Sequence, residues 1–362
     1  MDKNGSVQRR FLSVEYYRGL TKEHYLYLGM MIGLIIIATV ISSGHSKDSE
    51  NYNRMFELYG ASGWGALYAE MFRREVFFLF ISKLVYQLGL SSAFLFLIYS
   101  SISIPVKFYL IDKHSKAAFL SLAYFCSYFF ILHDCTQLRF GMAVAFAYLG
   151  LHFLADNKRL VFSAIVILSA ILFHNAILVF LVMLLFTSRR SLTWLLVMVA
   201  VAILLYPINL NAVMLNLVGN LIDYFGIEGG GVSKVSTGIN RLHAYLLMPS
   251  SDMHLGIFSR HGLMIYAYAI VIFKYRNVFN KYEYLCYNAF ILSVFFWILM
   301  KDSMDLQVRF NDAFGFSLVF LIPYVHRRIS EYVGEKNAYI LLLLFFTAYL
   351  SKFIFYDKMV TF

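Results

Sequence analysis

The sequence has few charged residues and few cysteines. Asp, Glu, Lys and Arg make up 14% of the 362 residues, whereas hydrophobic residues make up 60%. A soluble domain cannot bury so much apolar surface, so the composition excludes a soluble fold and indicates a protein that crosses a membrane several times. The three cysteines lie far apart and match no metal-ligand spacing. We therefore expect three free thiols: Cys126, Cys135 and Cys286.

The charge that is present is mostly positive, with a formal net charge of +10. Lys and Arg occur in small groups between hydrophobic runs, which is typical of the signals that orient membrane helices. No basic stripe with interleaved aromatic residues is visible, so a nucleic-acid partner is not predicted. The first apolar run begins near Tyr25, and no small-residue cleavage site follows it. A cleavable signal peptide is therefore not expected.

The hydrophobic runs predict an all-α bundle of about eleven transmembrane spans, with interfacial helices, in a single integral membrane domain, 1–362. The basic segment 1–24 is predicted to be a cytoplasmic tail, because positively charged flanks stay on the cytoplasmic side. The outer side is then expected to carry a first periplasmic loop, 42–75, a large periplasmic loop, 208–260, and the C-terminus. The predicted spans are roughly 25–41, 92–111, 117–132, 140–155, two arms within 160–186, 192–207, 262–273, 284–300, 310–325 and 338–355.

The segment 76–90 is apolar enough to suggest another span, but we predict an interfacial helix. Ser82, Lys83, Tyr86 and Gln87 fall on one helical stripe, with apolar residues around the rest. If this segment crossed the membrane, every later group of Lys and Arg would fall on the outer face, against the positive-inside rule.

Residues 160–186 are too long for one span and slightly short for two. Basic pairs at both ends favour a hairpin that returns to the cytoplasmic side. Its turn is predicted at Phe173–Asn175, which leaves His174 below the outer surface, facing a cavity. His174 is therefore a candidate general base. The alternative is a histidine that caps loose backbone carbonyls at the tip.

Several arginines lie on the predicted outer face, where the positive-inside rule predicts few. Arg139 and Arg309 are at the predicted starts of inward-running helices, and a helix N-terminus with an arginine favours phosphate or pyrophosphate. We therefore expect an anionic lipid headgroup as the ligand. The alternative is a structural role, in which Asp134 pairs with Arg139, and Asp305 or Asp312 pairs with Arg309. The outer arginines are Arg54, Arg73, Arg74, Arg139, Arg241, Arg260 and Arg309.

The first outer loop contains two further kinds of candidate. Asp48 and Glu50 could accept a hydroxyl proton or hold a divalent metal, although a solvated loop also accounts for such a pair of acids. Tyr52 and Trp64 could stack on sugar rings or lie in the aromatic belt at the membrane surface.

Residues 133–176 contain a polar turn with Gln-x-Arg, a small-residue helix, a basic turn and an Ala-rich segment that ends in Phe-His. This run resembles the central signature of the EpsG-like, Wzy-type membrane proteins of bacteria. DSENYNRMF, residues 48–56, resembles that family's Asp-x-x-x-Tyr loop, and LQVRFNDAFGFSLVFLIPYV, residues 306–325, resembles its late Arg-led span. The chain has Arg139-Phe140-Gly141 where these proteins usually have Arg-Gln-Gly, a departure that leaves the arginine in place.

The resemblance implies a glycosyltransferase of GT-C-like layout that polymerises undecaprenyl-diphosphate-linked repeat units into O-antigen, capsule or exopolysaccharide. Its active site would face the periplasm from the bacterial inner membrane. Arg139, Arg309 and Arg260 would bind the pyrophosphate, and Asp48, or else His174, would take the proton of the acceptor hydroxyl. The glycan-binding candidates are Glu50, Tyr52, Gln137 and Arg241.

The same resemblance implies the partners. They are the lipid-linked donor and acceptor, membrane lipid and a chain-length regulator protein. No cofactor and no obligatory metal are expected, because an arginine cluster can take the place of the cation.

Three other activities compete with polymerisation. A lipid-linked oligosaccharide flippase or other transporter often shows paired repeats and interrupted helices near the midplane, whereas the polar residues here gather at one face. An O-antigen ligase shares the donor and the chemistry but uses a different acceptor. An acyltransferase of surface sugars would need a His-led acid pair near a spanning helix, and HDCTQ is a poor match to one.

Overall fold

The computed structural model describes residues 22–71, 75–188, 191–208, 213, 216, 256, 258–356 and 358–360. This part of the chain is helical, and its β-type pairing is an isolated bridge between Ser46 and Val360. The all-α architecture predicted from the sequence is therefore confirmed. The large outer loop predicted at 208–260 lies for the most part outside the described residues.

The helices are numbered in chain order over the described residues. They are α1 (Lys22–Val40), α2 (Ser49–Ala61), α3 (Trp64–Met71), α4 (Val76–Gln87), α5 (Ser92–His114), α6 (Ala118–Ser127), α7 (Leu138–Ala155), α8 (Arg159–Leu172), α9 (Ser191–Leu204), α10 (Arg260–Phe273), α11 (Lys281–Leu299), α12 (Met304–Gly315), α13 (Leu318–Val333) and α14 (Glu335–Ser351). Short π-helical segments cover Ile41–His45, Phe130–Thr136 and Lys352–Tyr356, and 3₁₀ segments cover Asn175–Leu185 and Arg276–Val278.

Among the described residues, four helices are long and apolar enough to cross a membrane: α1 with its π-helical extension, α5, α7 and α11. Two further spans result if bent pairs are counted, α6 with Phe130–Thr136 at 61° and α12 with α13 at 70°. The chain is therefore a membrane protein, as its composition predicts. The count of about eleven spans stays a prediction, because the other apolar helices are shorter than a membrane-crossing helix needs.

The predicted first outer loop is folded into helices α2 and α3. Tyr52, Met55, Phe56 and Tyr59 are buried and recur at helical spacing, so one face of α2 packs into the bundle against α4. The outer position of 42–75 stays a prediction. Within it, residues Ser49–Ala61 are helical because their apolar residues recur at helical spacing and form one buried face.

Helix α4 is twelve residues long and does not qualify as a span, and in its polar stripe only Tyr86 and Gln87 are exposed. Ser82 and Lys83 are buried, and the Lys83 Nζ donates hydrogen bonds to the carbonyls of Gly60 at 2.8 Å and Ser62 at 2.6 Å. These carbonyls lie at the end of α2, where the last peptide groups lack helical partners. Lys83 therefore caps α2 instead of facing the lipid headgroups.

The hairpin predicted within 160–186 is confirmed. Helix α8 ends at Leu172, and the chain resumes as a 3₁₀ segment at Asn175 that packs back against α8. The His174 Nδ1 accepts a hydrogen bond from the Ala176 backbone N–H at 3.2 Å. The histidine therefore caps the following segment through an N–H, not through the loose carbonyls considered from the sequence.

The polar run before α7 is buried, whereas the sequence predicts a turn at the outer surface. His133 and Asp134 are 0% and 1% exposed. The reason lies on α5, where the Lys107 Nζ reaches both carboxylate oxygens of Asp134, at 2.8 and 2.7 Å. Asp134 is thus the partner of Lys107, and the alternative that paired it with Arg139 is wrong.

Helix α7 packs against α5, α8 and α11, and against the turn that precedes it. Four small residues of α7, Gly141, Ala143, Ala145 and Ala147, are all buried, and their small side chains allow neighbouring segments to approach closely. At Gly141 the approach is closest, because a Cβ there would lie 2.2 Å from the carbonyl oxygen of His133.

We predict that Gly141→Ala destabilises the protein by about 1–3 kcal/mol, since the added methyl must displace backbone at the start of α7. The measurement is thermal unfolding in detergent. Gly33→Ala is the matched control, because a Cβ at Gly33 of α1 meets nothing within 4 Å. An unchanged unfolding temperature for Gly141→Ala would contradict this account of the contact.

Candidate functional site

Arg139 lies in the first turn of α7, as predicted, and its guanidinium is held from three sides. Its Nη1 donates to Glu75 Oε2 at 2.7 Å. Its Cζ lies 5.5 Å from the ring centre of Tyr52 and 5.3 Å from that of Phe78. The side chain is 18% exposed, so the cation is largely desolvated and these contacts are stronger than they would be at the surface.

Helices α2 and α4 supply the residues that hold this arginine. Tyr52 belongs to the buried face of α2, Glu75 directly precedes α4, and Phe78 is in the first turn of α4. Glu75 is missing from the candidates predicted from the sequence. A single acid in a polar stretch has no periodicity or motif, and its partner is 64 residues away. Only folding brings the two together.

The guanidinium keeps donor capacity beyond the bond to Glu75. In the described part of the chain, the Arg139 Nε is buried and has no hydrogen-bond partner. An arginine with one edge fixed by a carboxylate and a further N–H without a partner is suited to an oxygen-rich anion such as a phosphate group.

Asp48 lies just before α2 and is partly buried. Burial raises the pKa of its carboxyl above the ordinary value, and the nearby charges of Lys47, Arg139 and Arg309 act in the opposite direction. Arg139 and Arg309 are therefore both within electrostatic reach of the Asp48 carboxylate.

Arg309 is in the middle of α12 and not at a helix start, so the predicted support from a helix N-terminus is wrong for this residue. Its Nη1 lies 3.4 Å from the His174 Nε2. The His174 ring packs on Phe140, the residue after Arg139, with ring centres 5.4 Å apart. His174 thus joins the group formed by Asp48, Arg139 and Arg309.

Both ring nitrogens of His174 face N–H donors. Nδ1 accepts the backbone N–H of Ala176, and Nε2 lies 3.4 Å from the Arg309 Nη1, which can only donate. A neutral imidazole accepts at only one of its nitrogens. With its proton on Nε2, His174 and Arg309 present two donors to one place, an arrangement that favours an anion between them.

The remaining predicted residues are less closely connected. Glu50 is exposed on α2, and Gln137 is partly buried at the N-terminus of α7. Arg260 is exposed at the first residue of α10, next to His261, whose Nε2 lies 3.0 Å from Asn311 Oδ1 of α12. Arg241 lies outside the described residues.

One alternative predicted from the sequence pairs Arg309 with Asp305 or Asp312. Asp312 accepts a hydrogen bond from the Tyr128 hydroxyl at 2.7 Å.

A second hypothesis concerns cysteines and metal binding. The three cysteines are free, as predicted. Within the described ranges, no group of three or more His, Cys, Asp or Glu side chains is placed to hold a metal ion.

We predict that Glu75→Gln destabilises the protein by about 1.5–3 kcal/mol, the usual worth of a hydrogen bond to a charged group, because the Arg139 cation loses its counter-charge. Thermal or denaturant unfolding in detergent measures the effect. Glu331→Gln is the control, since Glu331 pairs with Lys274 and Arg328 at an exposed position and should matter much less. Equal effects of the two substitutions would contradict the assigned importance of the Glu75 pair.

Comparison with known proteins places the chain in a family. A curated relative, the amylovoran biosynthesis protein AmsC of Erwinia amylovora, is 27% identical over 128 residues, which are 34% of this chain and 34% of that protein. The chain therefore aligns with about a third of the length of this relative. No solved structure matches. The sequence profile of the EpsG family matches residues 24–361, nearly the whole chain. The protein is a member of the EpsG family.

Proposed function

We propose that this protein is a membrane glycosyltransferase that joins undecaprenyl-diphosphate-linked repeat units into a bacterial exopolysaccharide. Membership of the EpsG family and similarity to a protein of amylovoran biosynthesis support a polymerase of polysaccharide synthesis. The single observation that carries the proposal is the convergence of Arg139, Arg309, Asp48 and His174 from four separate segments.

In the proposed reaction, the hydroxyl oxygen of the acceptor unit forms a bond to the anomeric carbon of the donor chain. The bond from that carbon to the diphosphate oxygen breaks, and its electron pair leaves with the lipid diphosphate. The hydroxyl proton passes to a protein base. Negative charge thus grows on the diphosphate, and fixed cationic donors stabilise the transition state more than the ground state.

Arg139 is the principal donor for this charge. Glu75 and the rings of Tyr52 and Phe78 hold its guanidinium in place before the substrate arrives, so little reorganisation is needed during the reaction. The Arg139 Nε, Arg309 and the His174 Nε2 supply further donors.

Asp48 is the better candidate for the base. His174 has one ring nitrogen accepting a backbone N–H, and with its proton on the other it is arranged to donate. The Asp48 carboxylate is partly buried beside the two arginines, and it can accept a proton directly. His174 then binds the leaving group together with Arg309.

The orientation of α1 supports a site at the periplasmic face. If the basic segment 1–24 is cytoplasmic, α1 ends on the outer side, where Ile41–His45 leads to Asp48. The start of α7 and the tip of the 160–186 hairpin lie at the same end of the bundle, since both contribute to the site with Asp48. A lipid-linked substrate would enter this site from the outer leaflet.

The flippase and ligase alternatives predict different products. A flippase moves the lipid-linked unit without changing its length, and a ligase needs a lipid A core acceptor. Purified protein in nanodiscs, given a synthetic diphosphate-linked repeat unit alone, should yield longer chains if it is a polymerase. Failure to extend the unit under any condition would overturn the proposal.

We expect Arg139→Ala to lower the rate of chain extension by about 10²–10³-fold, the effect of removing one fixed donor to a developing oxyanion. Arg139→Lys should restore little, because an ammonium group cannot bind two phosphate oxygens through a planar fork. Extension of the synthetic unit is followed by chain-length analysis. Arg54→Ala is the matched control, since Arg54 is exposed on α2 and bonds to Asn51. Normal polymer from Arg139→Ala would refute its role.

Asp48→Asn should reduce extension by about 10²–10⁴-fold, the usual contribution of a general base. A base must be deprotonated, so wild-type activity should fall as the pH decreases through the pKa of Asp48. Because that pKa is raised, the loss should begin at a higher pH than for an ordinary aspartate. The pH–rate profile of Asp48→Asn should lack this acid limb, and His174→Gln should retain it. A reversed pattern would make His174 the base.

A further inference from the structure

Away from Arg139, the described residues contain a second buried ion pair. The Lys107 Nζ of α5 binds Asp134 Oδ1 at 2.8 Å and Oδ2 at 2.7 Å, and the Ser103 hydroxyl donates to Oδ1 at 2.6 Å. Lys107 and Asp134 are 0% and 1% exposed. The Lys107 Nζ also lies over the rings of Phe125 and Phe316, so no part of the charge faces water.

Such a pair is a poor means of adding stability. The desolvation free energy of the two charges offsets much of their electrostatic attraction. Proteins in which apolar residues of similar volume replace such a pair are often equally stable. What the pair does well is to fix position. With three hydrogen bonds to one carboxylate, Asp134 occupies a single place relative to α5.

The turn that contains His133 and Asp134 is connected both to Arg139 and to the segment before Asp48. Asp134 is five positions before Arg139, and the carbonyl of His133 presses on α7 at Gly141. On the other side, the Ser42 hydroxyl contacts the carbonyls of Cys135 at 3.0 Å and Asp134 at 3.4 Å. Ser42 is six positions before Asp48, in the π-helical segment Ile41–His45.

We propose that Lys107 and Asp134 are positioning residues that set the distance between Arg139 and Asp48. This inference rests on the proposed function, in which Arg139 binds the departing diphosphate and Asp48 takes the proton. Neither Lys107 nor Asp134 touches the substrate. They hold the turn just before α7. Arg139 follows this turn in the chain, and Ser42, in the segment before Asp48, is hydrogen-bonded to it. A shift of about 1 Å in such a geometry is enough to slow a reaction by about 10²-fold.

The test is the neutral pair Lys107→Gln with Asp134→Asn, which removes both charges and keeps an amide hydrogen bond within reach. The exposed ion pair of Lys274 and Glu331, replaced as Lys274→Gln with Glu331→Gln, is the matched control. We expect the neutral pair to unfold at nearly the wild-type temperature while kcat for chain extension falls by at least about tenfold and KM changes little. The control variant should match wild type in unfolding temperature, kcat and KM.

Hydrogen exchange gives a second measurement that needs no substrate. In the neutral-pair variant, amides of residues 41–48 and 130–141 should exchange faster, whereas those of α11 should not. Unchanged exchange in both segments, or wild-type kcat in a folded variant, would overturn the inference. A fall in activity that only parallels a fall in unfolding temperature would also overturn it.

The proposed function is tested separately by wild type and Arg139→Ala in the same assay. If wild-type protein does not extend the repeat unit, the proposed function fails, and the exchange measurement alone decides whether the ion pair positions the two segments. If wild type and Arg139→Ala behave as expected and the neutral pair is fully active, only the positioning role fails.

Discussion

The ion pair between Arg139 and Glu75 is the contact on which the candidate site depends. A guanidinium that is 18% exposed needs a counter-charge, and Glu75 supplies it from the start of α4. Because Tyr52 of α2 and Phe78 of α4 lie against the same cation, the pair also ties α2 and α4 to the start of α7. An arginine held in this way is preorganised, so it needs little reorganisation when an anion binds. Electrostatic catalysis depends on such preorganised donors.

A second ion pair, between Lys107 and Asp134, supports the segment that carries Arg139. Lys107 and Asp134 anchor the turn just before α7, and Gly141 lets that turn press directly on the helix. The two pairs therefore act at the two ends of one short stretch of chain, one on the turn and one on the arginine. Both pairs hold polar atoms in defined positions within a core that is mostly apolar.

Sequence reasoning succeeded where a local pattern has one physical solution. The basic pairs around 160–186 and the length of that run lead to a hairpin, and the break is found at His174. It failed where the outcome depended on a distant partner. The HDCTQ run was expected at the surface because its residues are polar, yet Lys107, 27 positions earlier, allows Asp134 to be buried. Likewise, Arg309 was expected at a helix start, whereas α12 begins earlier, at Met304.

The sequence by itself determined that the chain is a membrane protein of the all-α class and that Arg139 lies at the start of α7, and it named most residues of the candidate site. Hydrophobic run length and charge asymmetry are properties of the chain read in order. Only the tertiary structure decided that Glu75 is the partner of Arg139, that the segment after α1 forms helices α2 and α3, and that His174 lies beside Arg309. Those outcomes depend on which groups meet across the bundle, and a hydrogen-bond partner 64 residues away leaves no trace in a local pattern.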